Sequence, residues 1–363
     1  MTRPGITLLW MLLLATVSSS RVQAQVSEQD SLALVALYTT TDGPGWADNT
    51  NWLMAPVAQW KGVTVTGTRM TNLRLNGNQL AGAIPPELGA LTRLSGLFLH
   101  NNLFKSTIPP ELGTLSNLIF LDLSDNQFTG AIPPELGTLT RLTGLFLHNN
   151  QLTGAIPPEL GNLPNLSVLF LAFNQLTGTI PPELGTLTNL STLRLEFNQL
   201  TGPVPPELGN LSNLTSLSLN NTRLSGTLPL SLTNLPKLET FRFDNTDLCV
   251  PFDPAFQAWL KGINNLHSSG CTLEPPETFM LEANYPNPFN AATRIRYALP
   301  EQTPVRLSVY DLQGRRVAVL VAAEQPAGRH EVVFEANALP NGVYFYRLEA
   351  DVFRAMRPML LLR

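Results

Sequence analysis

Leu142 to Leu160 reads LTGLFLHNNQLTGAIPPEL, and the fold turns on this stretch. Its pattern, LxxLxLxxNxLxGxIPxxL, returns at a fixed interval along the chain. Asn78, Asn102, Asn126, Asn150, Asn174 and Asn198 stand 24 residues apart, and Thr222 and Thr246 continue the phase. Eight units therefore fill residues 70–248, the last one incomplete. A period of this length belongs to stacked arrays, in which each unit buries its apolar face only against its neighbours.

Each repeated position has a physical reason. Leu145 and Leu147 alternate with period two, so both face one side of a short strand. Burying each leucine stabilises by roughly 1.5–3 kcal/mol. The asparagine at the strand exit is expected to bond backbone groups of adjacent units, because an unpaired buried amide is costly. Thr222 and Thr246 offer only a hydroxyl, so the ladder should weaken there. Gly154 permits a turn that a side chain would block. On the far side of the unit, Ile156-Pro157-Pro158-Glu159-Leu160 suits an extended entry into a helical turn. Glutamate near the start of such a turn is favoured. The column Glu87, Glu111, Glu135, Glu159, Glu183 and Glu207 thus has a structural explanation, with a cation site as the sharper alternative.

The array resembles the plant-type leucine-rich repeats of receptor-kinase ectodomains and polygalacturonase-inhibiting proteins. The resemblance covers about half of the chain. It implies a curved, right-handed α/β repeat solenoid, strand-rich with short 3-10 turns and capped at both ends. Residues 25–69 look like that family's N-terminal cap, with leucines and Tyr38 at helical spacing followed by Trp46, Trp52 and the run WKGVTV from Trp60 to Val65. The family's cysteine pair is missing here, so the cap must rely on packing of Trp46, Trp52 and Trp60. Residues 249–273 read as the C-terminal cap. Within them Phe256, Trp259, Leu260 and Ile263 fall at helical spacing.

The 363-residue chain has a net charge of −4 and only 14 % charged residues. Its 23 basic residues are scattered, which argues against nucleic acid. The 30 prolines recur at fixed spacing in an apolar chain and do not signal disorder. Residues 1–24 read as a secretory signal peptide: Arg3, an apolar stretch from Ile6 to Val17, then the small-residue site Val22-Gln23-Ala24. The alternative, a membrane anchor, would need roughly 20 apolar residues. The rest of the chain holds no transmembrane run. An exported chain meets an oxidising compartment, where Cys249 and Cys271 can close a disulfide; two free thiols are the other possibility.

Composition changes at Glu274-Pro275-Pro276-Glu277, within a linker over residues 274–280. Residues 281–363 then alternate as short strands over 293–298, 305–311, 316–321, 330–335, 342–350 and 356–362. That pattern suggests a small all-β sandwich. YPNPFN (Tyr285 to Asn290), YALP, VYDLQGRRV, AGRH and NGVYFYRL occur there in order. The module resembles the type A C-terminal sorting domain of bacterial type IX secretion substrates. The resemblance implies export through the secretion machinery of a Gram-negative bacterium, with the product secreted or held at the outer-membrane surface. On this reading Pro286, Asn287, Pro288, Phe289, Gly314, Gly342 and Tyr344 carry the sorting motif.

Little in the chain suggests catalysis. HExxH, GxSxG, a phosphate-binding glycine loop and CxxC are all missing from the sequence. His100 and His148 stand at equivalent positions two units apart, an expected ~10 Å at about 4.8 Å per strand step, too far to share a metal. No cofactor or metal is expected. The informative residues lie on the strand face pointing away from the core. Phe98, His100, Phe146, His148, Phe170, Phe173, Arg194 and Phe197 are expected to form an exposed concave strip that binds a protein or polysaccharide outside the cell. Self-packing of neighbouring aromatics is the competing explanation. An adhesin-like recognition protein is the leading expectation, and an inhibitor of a secreted hydrolase the alternative.

Overall fold

The computed structural model describes residues 26–271, 276–336 and 339–362. The expected signal peptide (1–24) and the expected linker residues Glu274 and Pro275 lie outside these, as does Arg363.

The repeat builds one long sheet. Strands Arg69–Arg74, Gly96–Phe98, Phe120–Asp122, Gly144–Phe146, Val168–Phe170, Thr192–Arg194, Ser216–Ser218 and Thr240–Arg242 lie side by side in chain order. All of these pairings are parallel, with Leu73, Leu97, Leu121, Leu145, Leu169, Leu193, Leu217 and Phe241 in register. These side chains are completely buried, as the period-two reading requires. Both caps extend the sheet, which the motif does not announce. Val63–Thr66 pairs antiparallel with the first coil, and Asn265–His267 pairs parallel with the last.

Opposite the sheet, each PELG segment makes a short 3-10 turn, such as Pro158–Asn162 and Pro182–Thr186, with its glutamate in the first turn. The glycine of that segment is set by close approach between coils. A Cβ on Gly161 would stand 2.4 Å from the Glu183 carbonyl oxygen. Between sheet and turn, two-residue strands such as Thr129–Gly130 and Gln151–Leu152 pair across coils.

The asparagines form a ladder. The Asn126 amide donates to the carbonyls of Leu99 (3.0 Å), Leu123 (3.2 Å) and Ser124 (3.0 Å), and its oxygen accepts from the Phe104 N–H (3.2 Å). Asn102, Asn150, Asn174 and Asn198 repeat the scheme. Thr222 donates only within its own coil, to Leu219 (2.7 Å).

The N-terminal cap is a helix, α1 (Glu28–Thr40), and an aromatic cluster. Trp52 sits 4.7 Å from both Trp46 and Trp60 and stacks on Tyr38 at 5.7 Å. A feature the sequence did not flag is Asp30. It is fully buried, pairs with Arg69 (3.1 Å) and accepts from the Met70 N–H (2.7 Å), which fixes α1 onto the first coil. At the other end, α2 (Pro254–Lys261) starts with the Asp253 carboxylate capping the Phe256 N–H at 2.7 Å. It buries Phe256 and Leu260, and Cys249 and Cys271 are bridged.

The C-terminal module is two antiparallel sheets around a core of its own. One contains Met280–Leu281, Ala292–Leu299 and Gly328–Glu335; the other contains Arg316–Gln325, Thr303–Tyr310, Gly342–Ala350 and Phe353–Leu361. The first short strand begins at Met280, inside the stretch read as linker. Ile295, Leu307, Val309, Tyr346 and Leu361 are fully buried there. No helix among the described residues is long and apolar enough to cross a membrane.

Candidate functional site

The outer face of the main sheet carries the variable residues, and its aromatics come in pairs rather than as one strip. Phe98 lies 6.4 Å from Phe120, Phe146 5.3 Å from Phe170, and Phe173 4.3 Å from Phe197. Phe98, Phe146 and Phe170 are half-buried, less open than the exposed strip expected. Two physical causes account for it. Phe98 and Phe146 fold back over glycines, since a Cβ on Gly96 or Gly144 would meet their rings at 2.6 or 2.7 Å. Arginines also cover rings: the Arg74 guanidinium is 4.2 Å from the Phe98 centroid, and Arg194 is 4.8 Å from that of Phe170. Self-packing thus explains part of the aromatic content. Phe120, 43 % exposed, belongs to the same surface but precedes the core leucine, so the column chosen from sequence omitted it.

Phe173 and Phe197 behave differently. They remain 45 % and 43 % exposed and stack with their planes only 12° apart.

Polar residues fill the next column. His100 Nδ1 is 2.9 Å from Asp122 Oδ2, a contact without hydrogen-bond alignment. Ser124 donates to the other Asp122 oxygen at 2.7 Å. His148 Nε2 is 3.8 Å from Asp125 Oδ2, and Asn149 donates to Asp125 Oδ1 at 2.7 Å. Burial holds the His148 pKa below its ordinary value, against the pull of Asp125 and Asp122. Ser124, Ala172, Glu196 and Asn220 are buried although they stand in a column expected to be exposed, and so is Ser218 in the column of Phe98 and Arg194. Neighbouring coils lie about 4.8 Å apart, so longer side chains shield shorter ones. Glu196 Oε2 and Asn220 Oδ1 have no hydrogen-bond partner among the described residues. Burial raises the Glu196 pKa, with its own backbone N–H, Arg194 and Arg242 pulling it down. Among the described residues no three or more of histidine, cysteine, aspartate and glutamate gather in a way that could hold a metal ion.

In the C-terminal module the motif residues tie the chain to itself. Both Tyr285-Pro286 and Asn287-Pro288 are cis. The Pro286 carbonyl accepts from Asn284 (3.1 Å) and Thr293 (2.8 Å). Asn287 Oδ1 accepts from the Leu360 N–H at 2.9 Å, and the buried Phe289, just beyond Pro288, exchanges backbone bonds with Leu360 and Leu362. Gly314, at φ 75°, closes the turn into the strand at Arg316, and Gly342 opens the strand in which buried Tyr344 donates to Pro340 at 2.9 Å.

Comparison with known proteins agrees with this geometry. A profile described as secretion system C-terminal sorting domain matches residues 283–358. Leucine-rich repeat profiles match residues 116–162, 140–177, 189–211 and 213–235. The crystal structure of a plant ice-binding protein aligns at 30 % identity with TM-score 0.57, covering 69 % of this chain and 78 % of that one. The chain belongs to the leucine-rich repeat family. Among other solved structures, the Arabidopsis receptor kinase HAESA, in complex with the peptide hormone IDA and the co-receptor SERK1, aligns at 31 % identity with TM-score 0.59, covering 68 % of this chain and 42 % of that one. The plant peptide hormone receptor RGFR1, in complex with RGF2, aligns at 34 % identity with TM-score 0.50, covering 53 % and 31 %. This leucine-rich repeat chain therefore spans less than half the length of those receptor chains. No curated protein matches it.

Proposed function

We propose that this chain is an exported recognition protein that binds a protein or polysaccharide outside the cell through the outer face of its main sheet. The observation that carries the reading is the pairing of a sorting module with a sheet face that leaves Phe120, Phe173 and Phe197 exposed. Exposed aromatics on a broad open surface suit a macromolecule better than a small metabolite. The plant receptors named above were solved with peptide ligands, which supports recognition as the use of such a face. On this reading the sorting module engages the secretion machinery, and the mature chain is secreted or stays on the outer surface of a Gram-negative cell. Replacing Phe146 and Phe170 together by alanine should abolish binding of the secreted chain to its partner and leave its circular dichroism unchanged. Unimpaired binding both here and on replacing the exposed Phe173 and Phe197 would remove the face from consideration. Inhibition of pectinases or proteases by the secreted chain would move the reading to a hydrolase inhibitor.

A second reading comes from the ice-binding neighbour. Thr153, Thr177 and Thr201 are exposed at equivalent positions of successive coils, their N–H groups bonded to Gly130, Gly154 and Gly178 at 2.8 Å. A regular threonine file of that kind is a candidate ice-contacting surface. Thermal hysteresis lost on replacing these threonines would favour it; freezing identical to a buffer control would dismiss it.

A further inference from the structure

Two independent oddities meet at the sixth coil. The first is backbone strain. The residue after the polar column takes a left-handed conformation in every coil: Gly77, Asn101, Asp125, Asn149, Phe173, Phe197, Asn221 and Asn245, with φ between 53° and 63°. Glycine, asparagine and aspartate tolerate this region; phenylalanine does so at a cost. Strain of this kind persists where a site needs it. The two residues that break the rule are the stacked, exposed pair Phe173 and Phe197. The second oddity is the pair of unpartnered acceptors, Glu196 Oε2 and Asn220 Oδ1, on side chains with only 9 % and 8 % exposure.

The two features adjoin. Glu196 directly precedes Phe197, and the Phe173 N–H bonds the Glu196 carbonyl at 3.0 Å. In the same two columns, two coils earlier, Asp125 and His148 side chains approach to 3.8 Å.

We propose that Phe173, Phe197, Glu196 and Asn220 form a subsite for a neutral carbohydrate. This deepens, and rests on, the reading of the outer face as a binding surface. Buried acceptors demand O–H or N–H donors. Exposed Arg194 and Arg242 flank Glu196 and repel a cationic donor. Glu196 and Asn220 stand on neighbouring coils, whose backbones lie about 4.8 Å apart, a spacing two hydroxyls of one sugar ring can match; same-side N–H groups of an extended peptide recur at roughly 6.6 Å. A pyranose also presents a C–H face to an aromatic ring. A sugar thus supplies neutral donors and an apolar face together.

The test is solid-phase binding of the secreted chain to cellulose, xylan, mannan, pectate, chitosan and a random extended-peptide library. Four proteins are compared: wild type, F173N/F197N, E196A and F146A/F170A. Asparagine already occupies this backbone conformation at Asn149 and Asn221, so F173N/F197N should fold with an unchanged or higher melting temperature. The expected result is binding to a neutral polysaccharide that falls by about tenfold or more in F173N/F197N and in E196A. Binding confined to peptides would overturn the carbohydrate assignment. Polysaccharide binding that survives F173N/F197N but is lost in F146A/F170A would overturn this subsite and keep the surface. Binding that survives in every variant would overturn both.

Discussion

The coils that carry asparagine and those that carry threonine share one backbone path but are joined differently. Asn126 makes four hydrogen bonds, two inside its own coil to Leu123 and Ser124 and two to the preceding coil through Leu99 and Phe104. Thr222 and Thr246 each donate one bond inside their own coil, at 2.7 and 2.6 Å. Where the amide ladder stops, other ties begin. Phe241 and Phe243 pack 4.7 Å apart in place of leucines, α2 closes the end, and Cys249 is bridged to Cys271. Cohesion between coils is thus carried by a repeated buried amide along most of the array and by a covalent and aromatic closure at its end.

That contrast can be broken at several points. The largest effect should come from Asn126→Ala, which orphans one N–H and leaves carbonyls short of a donor in a dry interior. At roughly 1–3 kcal/mol per orphaned group, a loss of about 3–5 kcal/mol is expected in urea unfolding. A loss below ~1 kcal/mol would mean the ladder is ornamental. Opening the disulfide by Cys249→Ser and Cys271→Ser, which closes a loop of sequence separation 22, should cost about 3 kcal/mol in the chain-entropy account. The loosening should concentrate in the last coil and α2, as read by hydrogen exchange. Thr222→Ala should cost only about 1 kcal/mol, since one bond is lost. If it matched Asn126→Ala, the comparison between coils would fail.

The smallest effect is a pH signature at Glu196. Burial raises its folded pKa above its ordinary 4.5. The folded state then holds its proton longer than the unfolded one, so stability is greatest at low pH and falls as pH rises through the interval between the two values. Glu196→Gln should match wild type in acid and exceed it at neutral pH. A melting-temperature difference independent of pH would contradict the raised pKa of this buried carboxyl.

Much of the architecture was legible because it is periodic. Leu145 and Leu147, Asn150 and Gly154 each occupy a position whose chemistry repeats every 24 residues, so one reading applied to many sites. Phe256 and Leu260 were placed by helical spacing in the same way. What escaped was set by non-periodic neighbours. The burial of Glu196 and Asn220 depends on the side chains in adjacent coils. The half-burial of Phe98 depends on Gly96 beneath it and Arg74 above it. The strain at Phe173 becomes visible only once its φ of 55° is set beside Asn149 and Asn221. Asp30 and Arg69, far apart in sequence, gave no local sign of pairing.

Hydrogen–deuterium exchange of the secreted chain, free and saturated with whichever polysaccharide or protein binds it, tests the central claim most directly. The account predicts slowed exchange in residues 96–101, 144–149, 168–173 and 192–197, with the 3-10 turns at Pro158–Asn162 and Pro182–Thr186 unchanged. Protection confined to those turns, with the sheet strands unaltered, would contradict it.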